Sequence, residues 1–380
     1  MRVCSLSSVK NRIVLGEPLP FSVRDSAHML LLARGQVIAD EEQLYALFRR
    51  GAVVEIDELA ASMQQPGRSE PPGRRLARLS ADWEQHTHDV RQALAMPAAQ
   101  LAGALHGATD LLLSLIDFSP EVALSQIVRQ SDGGGPHYGV SHSIHAATAC
   151  LAAARYLGWQ PVDQRRAFQA ALTMNISMLE LQARLANQVS PLTAKQRESI
   201  HEHPLRSVEM LRAGGIADED WLDAVLQHHE LPDGSGYPRG VGAVCELAEM
   251  LRFADIYTAR LSSRATRPAM SAAQAGRDLH QIAEASPLAS ALIKAFGVFP
   301  PGSMVRLASG ELGIVVRNGE KAHLPLVATL TNAAGEPRLK PMMRDSAREE
   351  HTVVALLSAR SMPMRLTDEM IVELIGGELG

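Results

Sequence analysis

The sequence predicts a mainly α-helical protein, in which a helical bundle lies between a small N-terminal α/β unit and a short β-rich C-terminal extension. Within residues 81–300, apolar residues such as Leu101, Leu105 and Leu112 recur at a spacing close to that of a helix with one buried face. Short β-prone runs replace this pattern after residue 300. We therefore expect more than five packed helices followed by antiparallel hairpins.

The first 63 residues predict the small α/β unit. Leu19 to Val23 alternates apolar and polar residues, as a half-buried strand does. Asp40 is placed to cap a short helix, and Gly51 to end it. Residues 64–80 are rich in Pro, Gly and Arg, a composition that favours a solvated linker to the helical domain.

Residues 301–380 predict a β-rich extension that ends in a tail. Ser309-Gly310 and Asn318-Gly319 separate the β-prone runs and are typical of hairpin turns. The expected strands are Met304–Leu307, Gly313–Val316 and Leu324–Leu330.

Composition excludes several functional classes. A net charge of -5 and an aromatic content of 4% give no reason to expect a nucleic-acid partner. Cys4, Cys150 and Cys245 form no CxxC pair, so no disulfide framework is indicated and a reducing cytoplasm is expected. The stretch 144–159 contains Arg155 and is too short to span a bilayer, so no membrane partner is expected.

The residues that carry chemistry are concentrated between Gln227 and Pro238. His228 and His229 end an apolar helical run, and a loop with two glycines and two prolines follows. Adjacent histidines on a helix point about 100° apart, so both reach one site only if it is a deep pocket or a two-metal cluster. Further residues with metal-ligand chemistry lie outside this segment: His142, His201, His203 and Asp255.

Imidazoles combined with a carboxylate favour Fe, Mn, Zn or Ni over Ca. Two such ions, about 3.5–4 Å apart, would clamp a phosphodiester and activate a water molecule between them. Without a metal, the histidines and Asp255 would satisfy one another by hydrogen bonds.

Residues 228–238, HHELPDGSGYP, resemble the signature of the HD-GYP family, and the likeness extends over roughly residues 132–330. The resemblance implies an HD-type helical bundle, a site for two or three metal ions and hydrolysis of cyclic di-GMP in bacterial signalling. The other similar segments are Ser141-His142-Ser143, Leu192-Thr193 with His203-Pro204, Ala254-Asp255-Ile256-Tyr257, Arg264 with Arg267, Phe299-Pro300, and Val305-Arg306-Leu307.

The sequence departs from this family at the HD pair itself. The family has His-Asp-Ile-Gly-Lys where this chain has Met174 to Met178. Met174 replaces the metal-binding His, Asn175 the bridging Asp, and Met178 a Lys implied in phosphate contact or proton transfer. Methionine is a weak ligand for these metals and asparagine is neutral, so a functional two-metal centre is not expected.

The residues that remain define three expected sites. Tyr237 is expected to stand on the surface, where it would anchor a partner. Met174 and Met178 are expected to fill the core, and His201 to be an exposed helix residue. The expected metal ligands are His142, His203, His228, His229 and Asp255, with one divalent Fe or Mn ion or none. The expected substrate contacts are Arg264 and Arg267. The expected partner-binding residues are Asp233, Gly234, Gly236, Tyr237 and Pro238.

Three functions are compatible with these observations. The first is a catalytically impaired signalling module that binds cyclic di-GMP, a related nucleotide, a diguanylate cyclase (GGDEF) domain or a second copy of itself. The second is a metal-dependent cyclic di-GMP phosphodiesterase, which the replacement of the HD pair disfavours. The third is a structural domain similar to HDOD modules, which the retained HHE and GYP residues disfavour.

Overall fold

The structure is a computed structural model that describes most of residues 3–58 and residues 72–129, 135–358 and 361–377. Residues 64–71 of the expected linker at 64–80 and the first residues of the segment 132–330 lie outside these residues. The chain divides into two compact units, residues 1–75 and residues 76–380. A mainly helical fold with small sheets near both termini confirms the predicted fold class.

The N-terminal unit is a small sheet with one described helix, α1 (Glu41–Arg49). Asp40 caps this helix as expected, because its carboxylate accepts a hydrogen bond from the Gln43 backbone N–H at 2.8 Å. The sheet is antiparallel in the order β1-β4-β2-β3. Its strands are β1 (Val3–Ser5), β2 (Val23–Arg24), β3 (Leu30–Leu32) and β4 (Val53–Glu55).

The second unit begins with a long series of helices that share one hydrophobic core. They are α2 (Pro72–Leu94), α3 (Ala98–Phe118), α4 (Pro120–Val128), α5 (Tyr138–Tyr156), α6 (Pro161–Thr173), α7 (Leu179–Asn187), α8 (Ala194–Ala213), α9 (Glu219–Gln227), α10 (Glu246–Leu261), α11 (Ala272–Ile282) and α12 (Pro287–Phe296). A 3-10 turn, Ile176–Met178, lies between α6 and α7.

Helix α2 corrects the predicted linker. It begins at Pro72, so the expectation of an irregular segment is wrong for residues 72–80. Proline is well tolerated in the first turn of a helix, where its missing N–H has no helical partner to lose. The buried side chains of Leu79 and Trp83 then tie the helix to the core, and this burial outweighs the local preference for a loop.

Helix α5 lies at the centre of the bundle and contacts α6, α10 and α12. Its buried residues include many alanines, which allow neighbouring helices to approach closely. This central position brings residues of α5 and α10 together although they are more than a hundred positions apart in the sequence.

Helix α3 is the one described helix long and apolar enough to cross a membrane, by length and composition alone. One face of α3 is buried against the bundle, with Leu101, Leu105 and Leu112 in the core. Core helices of water-soluble proteins have the same composition, so the helix is weak evidence for a membrane span.

The C-terminal extension is an antiparallel sheet in the order β8-β7-β6-β5-β9. Two of its strands, and the helix α13 (Asp368–Gly376), lie where only an extension and a tail are expected. Asp368 forms an ion pair with Arg129 at 2.7 Å, and this contact joins the last helix to α4. The strands are β5 (Met304–Leu307), β6 (Leu312–Arg317), β7 (Leu326–Thr331), β8 (Pro337–Asp345) and β9 (Val353–Leu357).

Candidate metal centre and GYP loop

His142 of α5 and Asp255 of α10 form a direct pair, with 2.7 Å between Nε2 and Oδ1. Loss of hydration alone would raise the pKa of the Asp255 carboxyl, but the hydrogen bond and charge of His142 hold this pKa below its ordinary value. Asp255 is therefore an anion at neutral pH, and it lies next to four imidazoles.

His203, His228 and His229 form a second group. One nitrogen from each ring lies within 4.8 Å of the others. The two adjacent histidines face one site because α9 ends at Gln227, so His229 already lies in the following turn and does not continue the helical rotation. Their ring centroids are 4.2 Å apart. Within a helix the two side chains would point about 100° apart, but the helix ends before His229, so both rings can face the same site.

The hydrogen-bond partners of His203 and His228 show which nitrogen of each ring carries the proton. Each Nδ1 faces a backbone carbonyl, that of Ile200 at 2.5 Å and that of Val225 at 2.6 Å. A carbonyl only accepts hydrogen bonds, so both Nδ1 atoms carry the proton. The two Nε2 atoms then present lone pairs to each other across 3.1 Å.

A cation between these lone pairs would satisfy both. A second proton on either ring is disfavoured, since burial lowers the pKa of His203 to about 3 and lowers that of His228 as well. The two Nε2 atoms, 3.1 Å apart, would be close enough for one ion to accept a lone pair from each. The three rings therefore suit a single transition-metal ion.

The five expected metal ligands lie around one site. Burial is the main influence on His203, His228 and His229 and lowers the pKa of all three, while the nearby charge of Asp255 acts in the opposite direction on each. His142 joins the group through Asp255. The structure thus brings these residues together in two subsets, a trio of imidazoles and a His–Asp pair.

The two residues that the family resemblance aligns with the HD pair, Met174 and Asn175, are both buried, at 0% and 1% exposure. Met174 belongs to the hydrophobic core, as expected. Neither polar atom of the Asn175 amide has a hydrogen-bond partner within the described part of the chain. The segment lies beside the cluster, because the Ser177 hydroxyl donates to the His203 carbonyl at 2.9 Å.

Met178 differs from the expectation of a core residue. It is half-buried and lines a cleft, because the 3-10 turn carries it out of the core. Its thioether replaces the charge that a lysine would bring to this position.

The loop that follows His229 and contains Gly236, Tyr237 and Pro238 is called the GYP loop here. It is fixed beside the three histidines by Glu230, a buried residue at 1% exposure. Its two carboxylate oxygens accept hydrogen bonds from the backbone N–H groups of Arg239 at 2.7 Å and Val241 at 3.1 Å. Gly236 lies so close to the start of the loop that an added Cβ would be 2.4 Å from the Leu231 nitrogen. The loop therefore needs both this carboxylate and this glycine.

Tyr237 does not stand free on the surface, and this expectation is wrong. The residue is half-buried, and its ring stacks on His229 with centroids 4.6 Å apart and on His201 at 5.0 Å. The Tyr237 backbone N–H also donates to the His229 carbonyl at 3.1 Å. Contacts between distant parts of the chain, which loop composition does not encode, draw the ring inward.

The two arginines expected to contact substrate have different surroundings. Arg264 donates to the Tyr138 hydroxyl at 3.3 Å, and the Tyr138 ring stacks on His142, so Arg264 lies beside the site. Arg267 instead donates to the backbone carbonyls of Ala259 and Arg260 at the end of α10. Arg267 thus satisfies carbonyl groups that a helix end leaves without partners.

Two residues of the site escaped sequence reasoning, Glu230 and Tyr138. Glu230 is a charged residue at the start of a turn rich in Gly and Pro, and Tyr138 precedes His142 by four positions and shares its helix face. His201 is an exposed residue of α8, as expected, but its stack on Tyr237 was not predicted.

Comparison with known proteins agrees with this architecture. Residues 123–285 match the HD domain family model. The chain is 29% identical over 243 residues to the cyclic di-GMP phosphodiesterase PA4108 of Pseudomonas aeruginosa, a match that covers 61% of this chain and 58% of that protein. It is also 29% identical over 135 residues to the 3'3'-cGAMP-specific phosphodiesterase 1 of Vibrio cholerae, covering 34% of this chain and 30% of that protein.

The chain thus spans less than two thirds of the length of either curated relative. Among solved structures, Bd1817, an HDG"Y"P protein from Bdellovibrio bacteriovorus, aligns with a TM-score of 0.46 and 15% identity, covering 77% of this chain and 97% of that one. The helical bundle, with its histidines and Asp255 at one site, contains the segment that matches the HD domain model. This match and the HHE and GYP segments make the chain similar to the HD-GYP domain proteins.

Proposed function

We propose that this chain is an HD-GYP-like module of bacterial cyclic di-GMP signalling that does not hydrolyse cyclic di-GMP at an appreciable rate. It acts instead by binding a nucleotide or a protein, and a diguanylate cyclase domain is the protein partner that the GYP loop suggests. Two relatives named as cyclic-dinucleotide phosphodiesterases support the signalling context.

The observation that carries this proposal is the chemistry at Met174 and Asn175. A thioether in the hydrophobic core and a neutral amide stand where the family has an imidazole and a bridging carboxylate. Without that carboxylate no negative charge lies between two dications, whose mutual repulsion would then be unopposed at close range. A two-metal centre does not suit these residues.

One ion on His203, His228 and His229 does suit the residues present, because it would lie between the opposed Nε2 atoms. A divalent Fe or Mn ion there would supply Lewis acidity toward a phosphate oxygen. The chain's own residues would hold a phosphate through Arg264 and keep Asp255 ionised through His142. In the binding role that we propose, His203, His228 and His229 would hold the ion, which would supply positive charge for a phosphate ligand.

The GYP loop supports a role in binding. Asp233 and Pro232 are exposed, and the loop backbone is fixed by Glu230 and by the stacked Tyr237. A loop that is already ordered loses little conformational entropy when a partner binds. Asp233, Gly234, Gly236, Tyr237 and Pro238 remain the proposed partner surface.

Elemental analysis of the purified chain, combined with a cyclic di-GMP turnover assay, tests the proposal. We expect no more than about one divalent ion per chain and no hydrolysis above background after Mn or Fe is added. The matched variant His228→Ala removes one ring of the trio and should lose the ion. Metal-dependent turnover in the parent chain that disappears in His228→Ala would contradict the proposal.

That result would establish the second candidate, a metal-dependent phosphodiesterase. Two observations favour it: the trio of imidazoles is intact, and Arg264 lies beside it. A chain that neither retains metal nor binds nucleotide or cyclase would instead match a structural domain similar to HDOD modules. Each of the three functions therefore has its own outcome in the same set of assays.

A further inference from the structure

The two edges of the C-terminal sheet differ in their chemistry. The edge strand β8 contains three basic residues and two prolines, which are features that keep an edge from pairing with another chain. The strand at the other edge, β9, contains neither a charged residue nor a proline. The sequence thus protects one edge of this sheet and leaves the other open to pairing.

The outer side of β9 has no backbone partner within the described residues. Its inner side pairs with β5 in antiparallel register. No other backbone hydrogen bond reaches residues 353–357 from the described part of the chain. The side chains of Val354 and Leu356 lie on the same face of the strand and are 56% and 39% exposed. An edge strand with these properties is a template for an added strand.

An apolar groove of about 550 Å³ lies beside the C-terminal end of β9. Leu356 and Leu357 line one side of it, and the segment 364–366 and the start of α11 line others. Several apolar side chains of the groove are only partly buried, so a partner could cover them. They are Met270, Val298, Leu357, Met364 and Leu366. Burial of this surface would add to the stability that strand pairing provides.

The charges around β9 suit an antiparallel copy of the same strand. Glu349 and Glu350 are exposed and precede the strand. Arg365 is exposed, lines the groove at the other end of the strand and forms no ion pair with another described residue. An antiparallel second copy would bring its two glutamates toward Arg365, and the same contact would form at the opposite end. A parallel copy would bring like charges together.

We propose that β9 pairs with β9 of a second copy of this chain across a two-fold axis, so that two five-stranded sheets join into one. With the axis near Ala355, Val354 of one copy lies opposite Leu356 of the other, at the rim of the groove. Each contact then occurs twice, as a two-fold interface requires. This inference does not depend on the metal centre, because the histidines lie in the helical bundle and β9 in the C-terminal extension.

Sedimentation velocity of the full chain, from about 1 to about 200 µM, tests this proposal. We expect a monomer–dimer equilibrium with a Kd on the order of 10 µM, because a strand of 5 residues buries little surface. The double variant Val354→Lys, Leu356→Lys places like charges opposite each other and should weaken the dimer by about 10-fold or more. Leu339→Lys, at an exposed leucine on β8, is the matched control and should dimerise like the parent.

The orientation has its own test. Arg365→Glu should weaken the dimer by about 3–10-fold, and the addition of Glu350→Arg should restore part of this loss. A charge exchange without recovery would refute the antiparallel arrangement. EDTA should leave the equilibrium unchanged, which separates this result from metal occupancy.

A chain that stays monomeric at the highest concentration would overturn the proposal. A β9 double variant that dimerises as tightly as the parent would overturn it as well. Loss of the dimer in Leu339→Lys but not in the β9 variant would place the interface at β8 instead.

Discussion

The ring of Tyr237 stacks on the ring of His229, with centroids 4.6 Å apart and planes 22° from parallel. His229 is one of the three imidazoles that could hold a metal ion, and Tyr237 is the central residue of the GYP loop. The loop and the histidine cluster therefore form one packed unit, because neither ring can move without the other losing its contact.

Tyr237→Ala should lower the free energy of unfolding by about 1–2 kcal/mol, because the stacks on His229 and His201 are lost with the buried area of the ring. Tyr237→Phe keeps the ring and should stay within about 0.5 kcal/mol of the parent. Urea unfolding of the three proteins measures both. Equal stability of the parent and the Ala variant would show that the stacking contributes nothing.

Glu230→Ala should destabilise the protein by about 2–3 kcal/mol. The Arg239 and Val241 backbone N–H groups would lose their charged acceptor, and a hydrogen bond to a charged group contributes about 1.5–3 kcal/mol. Glu198→Ala, an exposed glutamate on α8, is the matched control and should change little. Hydrogen exchange at residues 239 and 241 adds a local readout, and unchanged protection in Glu230→Ala would refute the role of this carboxylate.

Met174→His combined with Asn175→Asp should raise the metal content of the purified chain above that of the parent. The other ligands are already gathered around Asp255, so the restored imidazole and carboxylate would complete a site for a second ion. Met174→Leu, which adds no ligand, is the control for repacking of the core. Metal content that stays at the parental level would mean that residues 174 and 175 do not face the cluster.

The C-terminal sheet contains a pH-sensitive ion cluster. Glu311 is 2.8 Å from both Arg338 and Arg344, and His351 lies at its edge. Hydrogen bonds from Arg344, opposed by loss of hydration, lower the pKa of the Glu311 carboxyl from 4.5 to about 2. The unfolded chain therefore binds more protons between these two pH values, and stability contributed by Glu311 is lost as the pH falls from about 4.5 to 2.

Glu311→Gln should flatten the dependence of unfolding free energy on pH within this window and lower stability at neutral pH, where two arginines lose their anion. Glu320→Gln, exposed near the same sheet, should retain the parental slope. Unfolding measured in steps from pH 5 to pH 2.5 provides the comparison. Identical slopes for the parent and Glu311→Gln would contradict the lowered pKa.

The sequence by itself determined the class of fold, because the 3.6-residue spacing of apolar side chains and the turn residues near Gly310 are local properties. It also predicted that His203, His228 and His229 lie together and that His142 and Asp255 lie near them, as the structure shows. The difference from the family pattern at Met174 and Asn175 is likewise visible in the sequence alone. The cap at Asp40 followed from the same local rules.

Only the tertiary structure decided the roles of Glu230, Tyr237 and Arg267. Each depends on contacts with residues that another segment brings near, such as the helix end that Arg267 satisfies or the His201 ring that covers Tyr237. The same holds for helix α2, whose first turn has the composition of a loop and becomes helical because Leu79 and Trp83 are buried. Local composition cannot encode such effects, because the free energy that determines them comes from packing between distant parts of the chain.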